Sequence, residues 1–197
     1  MKEKIILIGG GGHCRACIDV IEREGRFTIA GIVDMPEKRN QTVLKYPVIG
    51  SDNDLADLVK TFPNVLITLG QIKSPNKRMA LFNDLVEMGA RFPVIQSPLA
   101  YVSSHAHVAE GTIVMHHALI NAGASVGRNC IINTNALVEH DVIIGDHCHI
   151  STGVLVNGGV KIADGSFLGS GSVAVENASI PAHSFIRADS LYKKSDE

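Results

Sequence analysis

Two hydrophobic rhythms divide the chain. From Val102 onward an aliphatic residue returns every sixth position, through Val108, Val114, Ile120 and Val126 to Ile186; fourteen of these fifteen sites are Ile, Leu or Val, and the other is Ala174. Four residues after each comes a small or modest side chain, such as Ala106, Thr112, Ala118, Cys130, Ala136, Cys148 or Ser166. A period of six suits neither a 3.6-residue helix nor a hairpin meander. It predicts a parallel β-helix, in which each six-residue face holds a short strand and a turn, and stacked coils supply one another's backbone hydrogen bonds. At three faces per coil, residues 102–191 make five coils without insertion.

Before that point the rhythm alternates between strand and helix. Ile5–Ile8 reads as a buried strand, followed by Gly9–Gly12 and a helix from Cys14 to Arg26 that turns Ala16, Cys17, Val20 and Ile21 toward a sheet. Further strands are predicted at Ile29–Val33, Val65–Leu69 and Phe92–Ile95, with helices at 54–60 and 76–88, the second opened by Ser74-Pro75 and stopped by Gly89. Pro36 and Pro47 mark a loop. Such alternation gives a small parallel sheet of Rossmann type, about half the usual size. The expected organisation is a Rossmann-like α/β domain over 1–101, an all-β parallel β-helix over 102–191 and a short tail at 192–197.

Composition supports two architectures. Residues 1–101 hold 13 of the 18 Lys and Arg and six of the nine aromatics, whereas 102–191 hold three, two, and eight of the nine His. Narrow coils have little room for rings. The net charge of −2 gives no footprint for nucleic acid or an anionic membrane. No apolar run reaches the length of a signal peptide or membrane span, so a cytoplasmic protein with free thiols at Cys14, Cys17, Cys130 and Cys148 is expected. The spacing Cys14-Arg-Ala-Cys17 is that of redox motifs, but Cys17 falls on the buried face and packing is the better reading. Cys130 and Cys148, one coil apart, should stack inside the β-helix rather than bind zinc.

Three places could carry chemistry. The loop Gly9–His13 joins a strand to a helix and aims backbone N–H groups at an anion, a cradle for a diphosphate. Asp34, closing the second strand, is placed to accept hydrogen bonds from a ribose or base, and Gly70, closing the third, permits close approach of a ligand. The G-x-G-x-x-G pattern is not completed, which disfavours hydride chemistry with a nicotinamide cofactor. In the second half, Glu139-His140-Asp141 and Cys148-His149 form a dense constellation. A carboxylate at Asp141 or Glu139 could fix the His140 tautomer and raise its basicity, as a general base requires. His105, His107, His116, His117, His147 and His183 are expected to be solvated and without a role.

The run from Asn133 through His149, with Gly158-Gly159-Val160-Lys161-Ile162 after it and Gly12-His13 before it, resembles the left-handed β-helix acyltransferases. It is most similar to sugar acetyltransferases with an N-terminal nucleotide-binding domain, the branch that includes UDP-N-acetylbacillosamine-pathway and GDP-perosamine N-acetyltransferases and sialic acid O-acetyltransferases. The resemblance implies a left-handed coil, a homotrimer with CoA between adjacent β-helices, and acetyl transfer from acetyl-CoA to a nucleotide-linked (UDP, GDP or dTDP) amino-dideoxysugar for glycan biosynthesis. It makes His140 the general base and Asp141 its acidic partner. It puts His149 at the thioester carbonyl, Asn133 beside substrate or His140, and Gly11, Gly12, His13, Asp34 and Gly70 at the nucleotide diphosphate. Ser170 and Ala188 fall where the backbone meets the pantetheine arm. Relatives often end in a further Gly-Val-Pro-Ala-Lys-like segment; here Lys193 and Lys194 are the candidates to hold the adenine nucleotide. Asp34-Met35 stands where some UDP-sugar relatives have two acids.

Direct transfer needs no acyl-enzyme, with His140 taking the proton of the amine and a donor such as His149 stabilising the oxyanion. An O-acetyltransferase needs the same base and is the nearest rival. A zinc hydratase on a β-helix needs two His five residues apart, and five after His140 is Gly145; no metal is expected. A nucleotide-sugar sensor leaves Glu139-His140-Asp141 without purpose.

Overall fold

The computed structural model describes residues 2–193. Its first part is a sheet of strands β1 (Glu3–Ile8), β2 (Phe27–Val33), β3 (Thr42–Val43), β4 (Tyr46–Gly50) and β5 (Asn64–Ile67), in the order β3-β4-β2-β1-β5. All pairings are parallel except β3 with β4. Helices α1 (Gly12–Glu24), α2 (Leu55–Thr61) and α3 (Asn76–Glu87) complete it. The strands alternate in the usual way: Ile5 and Leu7 pack on α1, whereas Ile6 and Ile8 pack with Leu55, Val59, Phe82 and Leu85 of α2 and α3.

Two expectations here are corrected. The stretch around Pro47 is not loop: β4 pairs with β2, and Pro47 sits exposed beside the short edge strand β3, where a missing N–H is tolerated. Ala16 faces solvent, and Cys14 and Ile18 are buried with Cys17, Val20 and Ile21. Helix α1 is covered on two sides, by the sheet and by Ile95, Ile113, Met115 and Ile131 of the β-helix, which explains its wide apolar face.

From Ile95–Gln96 to Leu191–Tyr192 the chain forms two-residue strands at six-residue intervals, and each pairs in parallel with the strand 18 residues away. The strand expected at Phe92–Ile95 therefore belongs to this stack and not to the N-terminal sheet, since Ile95 and Gln96 pair with Ile113 and Val114. Three sheets result. We call them the first face (from 95, 113, 131, 149, 167 and 185), the second (from 101, 119, 137, 155, 173 and 191) and the third (from 107, 125, 143, 161 and 179). This stack of parallel sheets fits a left-handed β-helix. Its interior is the predicted aliphatic column plus the small fifth-place residues, with Cys130 and Cys148 free, fully buried and stacked, the Cys148 N–H donating to Cys130 Sγ at 3.3 Å.

The corners have their own rule. At every sixth residue from Gly111 to Asp189 the backbone has positive φ, and the residue is Gly, Asn, Asp or His. These are the side chains that tolerate the left-handed region. His117, His147 and His183 therefore occupy corners for backbone reasons.

Candidate active site

Helix α1 has Gly11 at its N-cap and so no side-chain cap, and its first-turn N–H groups have no internal acceptor. The four glycines before it have different tasks. Gly9 has φ +104° and a Cβ there would lie 2.4 Å from Leu69 Cδ2; one on Gly10 would lie 2.6 Å from Asp34 Oδ2. Packing requires both to be glycine. A Cβ on Gly11 or Gly12 would meet nothing within 4 Å, so the fold itself does not demand glycine there.

Asp34 is committed more fully than its position in sequence suggested. Its Oδ2 accepts from Gly10 N–H at 2.9 Å and Lys38 Nζ at 3.0 Å, and its Oδ1 from Met35 N–H at 2.8 Å. Burial opposes ionisation, but the hydrogen bonds from Met35, Lys38 and Gly10 outweigh it and hold the carboxyl below its usual range. Asp34 thus braces the glycine loop first, with little accepting capacity left for a ribose. It also lines a cavity of about 230 Å³ at the carboxyl ends of β1 and β2, shared with Gly9, Leu69, Asp52, Lys77 and Asp84.

His13 and Gly70 meet at this end of the sheet, a Gly70 Cβ lying 3.9 Å from that of His13. The His13 ring stands 6.5 Å from the ring of His149, which projects from the first face. His149 is 6% exposed. Its Nδ1 donates to the Gln71 carbonyl at 2.6 Å, and its Nε2 lies 3.1 Å from Asn133 Nδ2. Asn133 Oδ1 accepts from the Thr134 N–H, which fixes the amide with its NH₂ toward the histidine. Burial lowers the pKa of His149 to about 4 and, helped by the charges of Arg78 and His149, that of His13 to about 3. A neutral His149 whose one N–H is given to Gln71 presents a lone pair at Nε2. The oxyanion-donor role expected of His149 is not available to this arrangement; the N–H groups at that spot belong to Asn133.

A buried polar cluster that the sequence did not announce supports these groups. Arg78 of α3, 2% exposed, donates through Nη1 to the carbonyls of Ile67 (2.9 Å) and Leu69 (2.6 Å), and through Nη2 to Asn129 O (3.1 Å) and Oδ1 (2.6 Å). Burial lowers its pKa to about 10. Gln71 Nε2 donates to the His147 carbonyl at 2.9 Å, and Asn129 Nδ2 lies 2.9 Å from His147 Nδ1. His147 is accordingly buried, not solvated: at 7% exposure it fills the space beside Phe82, and burial lowers its pKa. His116 also has partners, Ser97 Oγ at 2.6 Å and Asp19 Oδ2 at 2.7 Å, which tie α1 to the β-helix.

His140 and Asp141 lie elsewhere. They occupy the corner between the second and third faces, while His149 stands on the first face. Nine residues are half of an 18-residue coil, so His140 and His149 of one chain project from opposite sides of it. Asn133 and His149, 16 apart, do meet. His140 Nδ1 donates to Asp141 Oδ2 at 2.9 Å, and the hydrogen bond raises its pKa. Its ring lies over Gly158, where a Cβ would come within 2.7 Å of Cε1 and Nε2. Ser170 and Ala188 fall on the corner between the first and second faces, in the column of Thr134 and Thr152; Ser170 Oγ bonds Ser151 Oγ (3.0 Å) and Thr152 Oγ1 (2.8 Å). Lys193 follows the last strand of the second face, on the His140 side, and Lys194 lies outside the described residues.

Residues 4–85 match the family model of the PglD N-terminal domain, and residues 123–158 match the bacterial transferase hexapeptide repeat. The chain is an acyltransferase, its two parts matching those two models. Among solved structures, this acyltransferase is similar to the acetyltransferase domain of PglB from Neisseria gonorrhoeae FA1090, with 24% identity over 100% of this chain and 94% of that one and a TM-score of 0.91. The same domain in complex with acetyl coenzyme A matches at 25% identity, over 98% and 92%, with a TM-score of 0.89. PerB from Caulobacter crescentus, in complex with CoA and GDP-perosamine, matches at 27% identity over 90% and 91%, with a TM-score of 0.75. No curated protein sequence matches this acyltransferase significantly. Among its described residues no helix is long and apolar enough to cross a membrane, and no cluster of His, Cys, Asp or Glu could hold a metal ion.

Proposed function

We propose that this acyltransferase moves the acetyl group of acetyl-CoA to the amino group of a nucleotide-linked amino-dideoxysugar by direct transfer. The observation that carries the reading is the state of His140. Its Nδ1 is held by Asp141, no described residue bonds Nε2, and the ring is exposed over Gly158. A base so arranged can take a proton from an attacking amine. The neighbours with acetyl coenzyme A, and with CoA and GDP-perosamine, support donor and acceptor classes.

The Rossmann-like half domain receives the nucleotide. An uncapped helix start bordered by Gly11 and Gly12, where packing leaves room, suits a diphosphate, with His13 and Gly70 beside it. From there His149 and Asn133 are one sugar's width away. Asn133 has an N–H to offer the thioester oxygen, and Ser170 and Ala188 continue that corner as a track for pantetheine. His140, on the far side of its own coil, then serves a neighbouring copy. The outward positions of the second face favour such assembly: Tyr101, Leu119, Leu137, Leu155, Val173 and Leu191 form an apolar stripe, with Tyr101 59%, Leu155 40% and Leu191 55% exposed. His140 flanks that stripe. A homotrimer repeats the contact and closes it.

The test is thiol release from acetyl-CoA with a panel of UDP-, GDP- and dTDP-linked 3- and 4-aminosugars, wild type against His140→Ala. Turnover that falls about 10²–10⁴-fold in the variant is expected. Turnover of hydroxyl sugars with no affinity for UDP, GDP or dTDP replaces the reading with O-acetylation.

A further inference from the structure

Only two Phe, Tyr or Trp rings occur in residues 102–191, and the fold puts them in one column. Phe167 and Phe185 follow His149 down the first face: His149 meets Phe167 edge-on at 5.3 Å, and Phe167 stacks on Phe185 at 5.2 Å with 17° between planes. Phe167 is 8% exposed and Phe185 51%. Among the described residues Phe185 belongs to the last strand of that face. Two residues on, Arg187 occupies the corner column of Asn133, Ser151 and Gly169. Arg187 is exposed and makes no ion pair with a described residue; Asp189 on the same corner turns its Oδ1 toward Gly171.

Distance gives this pair a partner. Coils repeat every ~4.8 Å, so Arg187 lies three coils, ~14 Å, below Asn133. The dozen or so bonds between the sulfur and the diphosphate of CoA span about 15 Å when extended. A thioester at Asn133, with pantetheine along Ser170 and Ala188, delivers the nucleotide end to Arg187 and Phe185. We propose that these two residues hold the adenine nucleotide of the acyl donor, Arg187 bonding a phosphate and Phe185 offering its outer face to the base. The proposal rests on the acetyl-CoA reading. It assigns the nucleotide to the Asn133 corner, not to Lys193, which lies on the other side of the coil. Guanidinium–phosphate pairing and base–aromatic stacking are the interactions such a ligand calls for.

Calorimetric titration of CoA, 3′-dephospho-CoA and pantetheine into wild type, Arg187→Ala, Phe185→Ala and Phe185→Tyr tests it. Arg187→Ala and Phe185→Ala should each weaken CoA binding about tenfold, leave pantetheine unaffected, and Phe185→Tyr should restore the affinity. An Arg187→Ala effect that persists with dephospho-CoA assigns the arginine to the diphosphate; one that vanishes assigns it to the 3′-phosphate. CoA affinities of both alanine variants within twofold of wild type overturn the proposal, as does a wild type that binds CoA no better than pantetheine. A wild type that binds neither overturns the acetyl-CoA reading itself. Phe185→Tyr keeps the ring stack, so a loss confined to an unfolded Phe185→Ala is recognised by its melting curve and by an unaffected Arg187→Ala.

Discussion

Replacing Gly158 by alanine adds one methyl group beneath the proposed base. Gly158 does not have positive φ, so its backbone accepts the substitution. The new Cβ would lie 2.7 Å from both Cε1 and Nε2 of His140. An ordinary contact needs about 3.5 Å, so the ring must retreat by nearly 1 Å. That ring is 63% exposed and swings outward easily, so stability should change by less than about 0.5 kcal/mol. The same shift removes Nε2 from its reacting geometry, and a misplacement of this size costs about 10²-fold in rate. Acetyl transfer followed by thiol release, with a melting curve on the same preparation, separates the two effects. Because the loss acts through one side chain, adding Gly158→Ala to His140→Ala should reduce kcat no further. A folded Gly158→Ala enzyme with kcat within twofold of wild type would refute the placement of the base.

Other expectations follow from charge and burial. Asp141 raises the pKa of His140, so kcat/KM should fall as pH drops through a midpoint above the ordinary histidine value, and Asp141→Asn should move that midpoint to lower pH with a lower plateau; an unmoved midpoint removes Asp141 from the role. His149 titrates near 4 when folded and near 6.5 when unfolded, so the unfolded chain binds more protons between those values and stability declines as pH falls through that window. About 3 kcal/mol is lost by pH 4, measurable by urea titration, and a pH-independent midpoint between 6.5 and 4 contradicts the burial of the ring. Leu137→Glu and Leu155→Arg, on the apolar second face, should reduce the particle mass by light scattering and abolish turnover together. Monomeric variants of full activity would show that His140 needs no neighbouring copy.

Much of the fold was legible because its cause is local. A six-residue period leaves no other architecture, and positive-φ corners draw on so small a set of side chains that Asn129, Asn135, Asp141 and His147 mark them in the sequence. Strand β4 was missed because Pro47 reads as a breaker, and only the edge pairing with β3 shows why it is tolerated. The candidate site residues could be named from the sequence, but not which of them the fold brings together. The separation of His140 from His149 lay within reach of arithmetic, since nine is half of eighteen. Arg78, Gln71 and the burial of His147 were not: each depends on α3 and the β5 loop docking against a corner 50 to 80 residues away, which no local pattern encodes.

The 18-residue coil also limits how such a chain can change length. An insertion of one hexad keeps every strand and corner satisfied yet turns all that follows by a third of a revolution. Inserted after Ile150, it would carry Ser170, Phe185 and Arg187 away from the edge on which Asn133 stands, although the protein would fold. Only a whole coil restores the alignment, and it lengthens the track by ~4.8 Å. Homologues that bind the same donor should therefore differ in this region by multiples of eighteen or by excursions at the corners. A net gain or loss of six or twelve is the signature of a changed ligand.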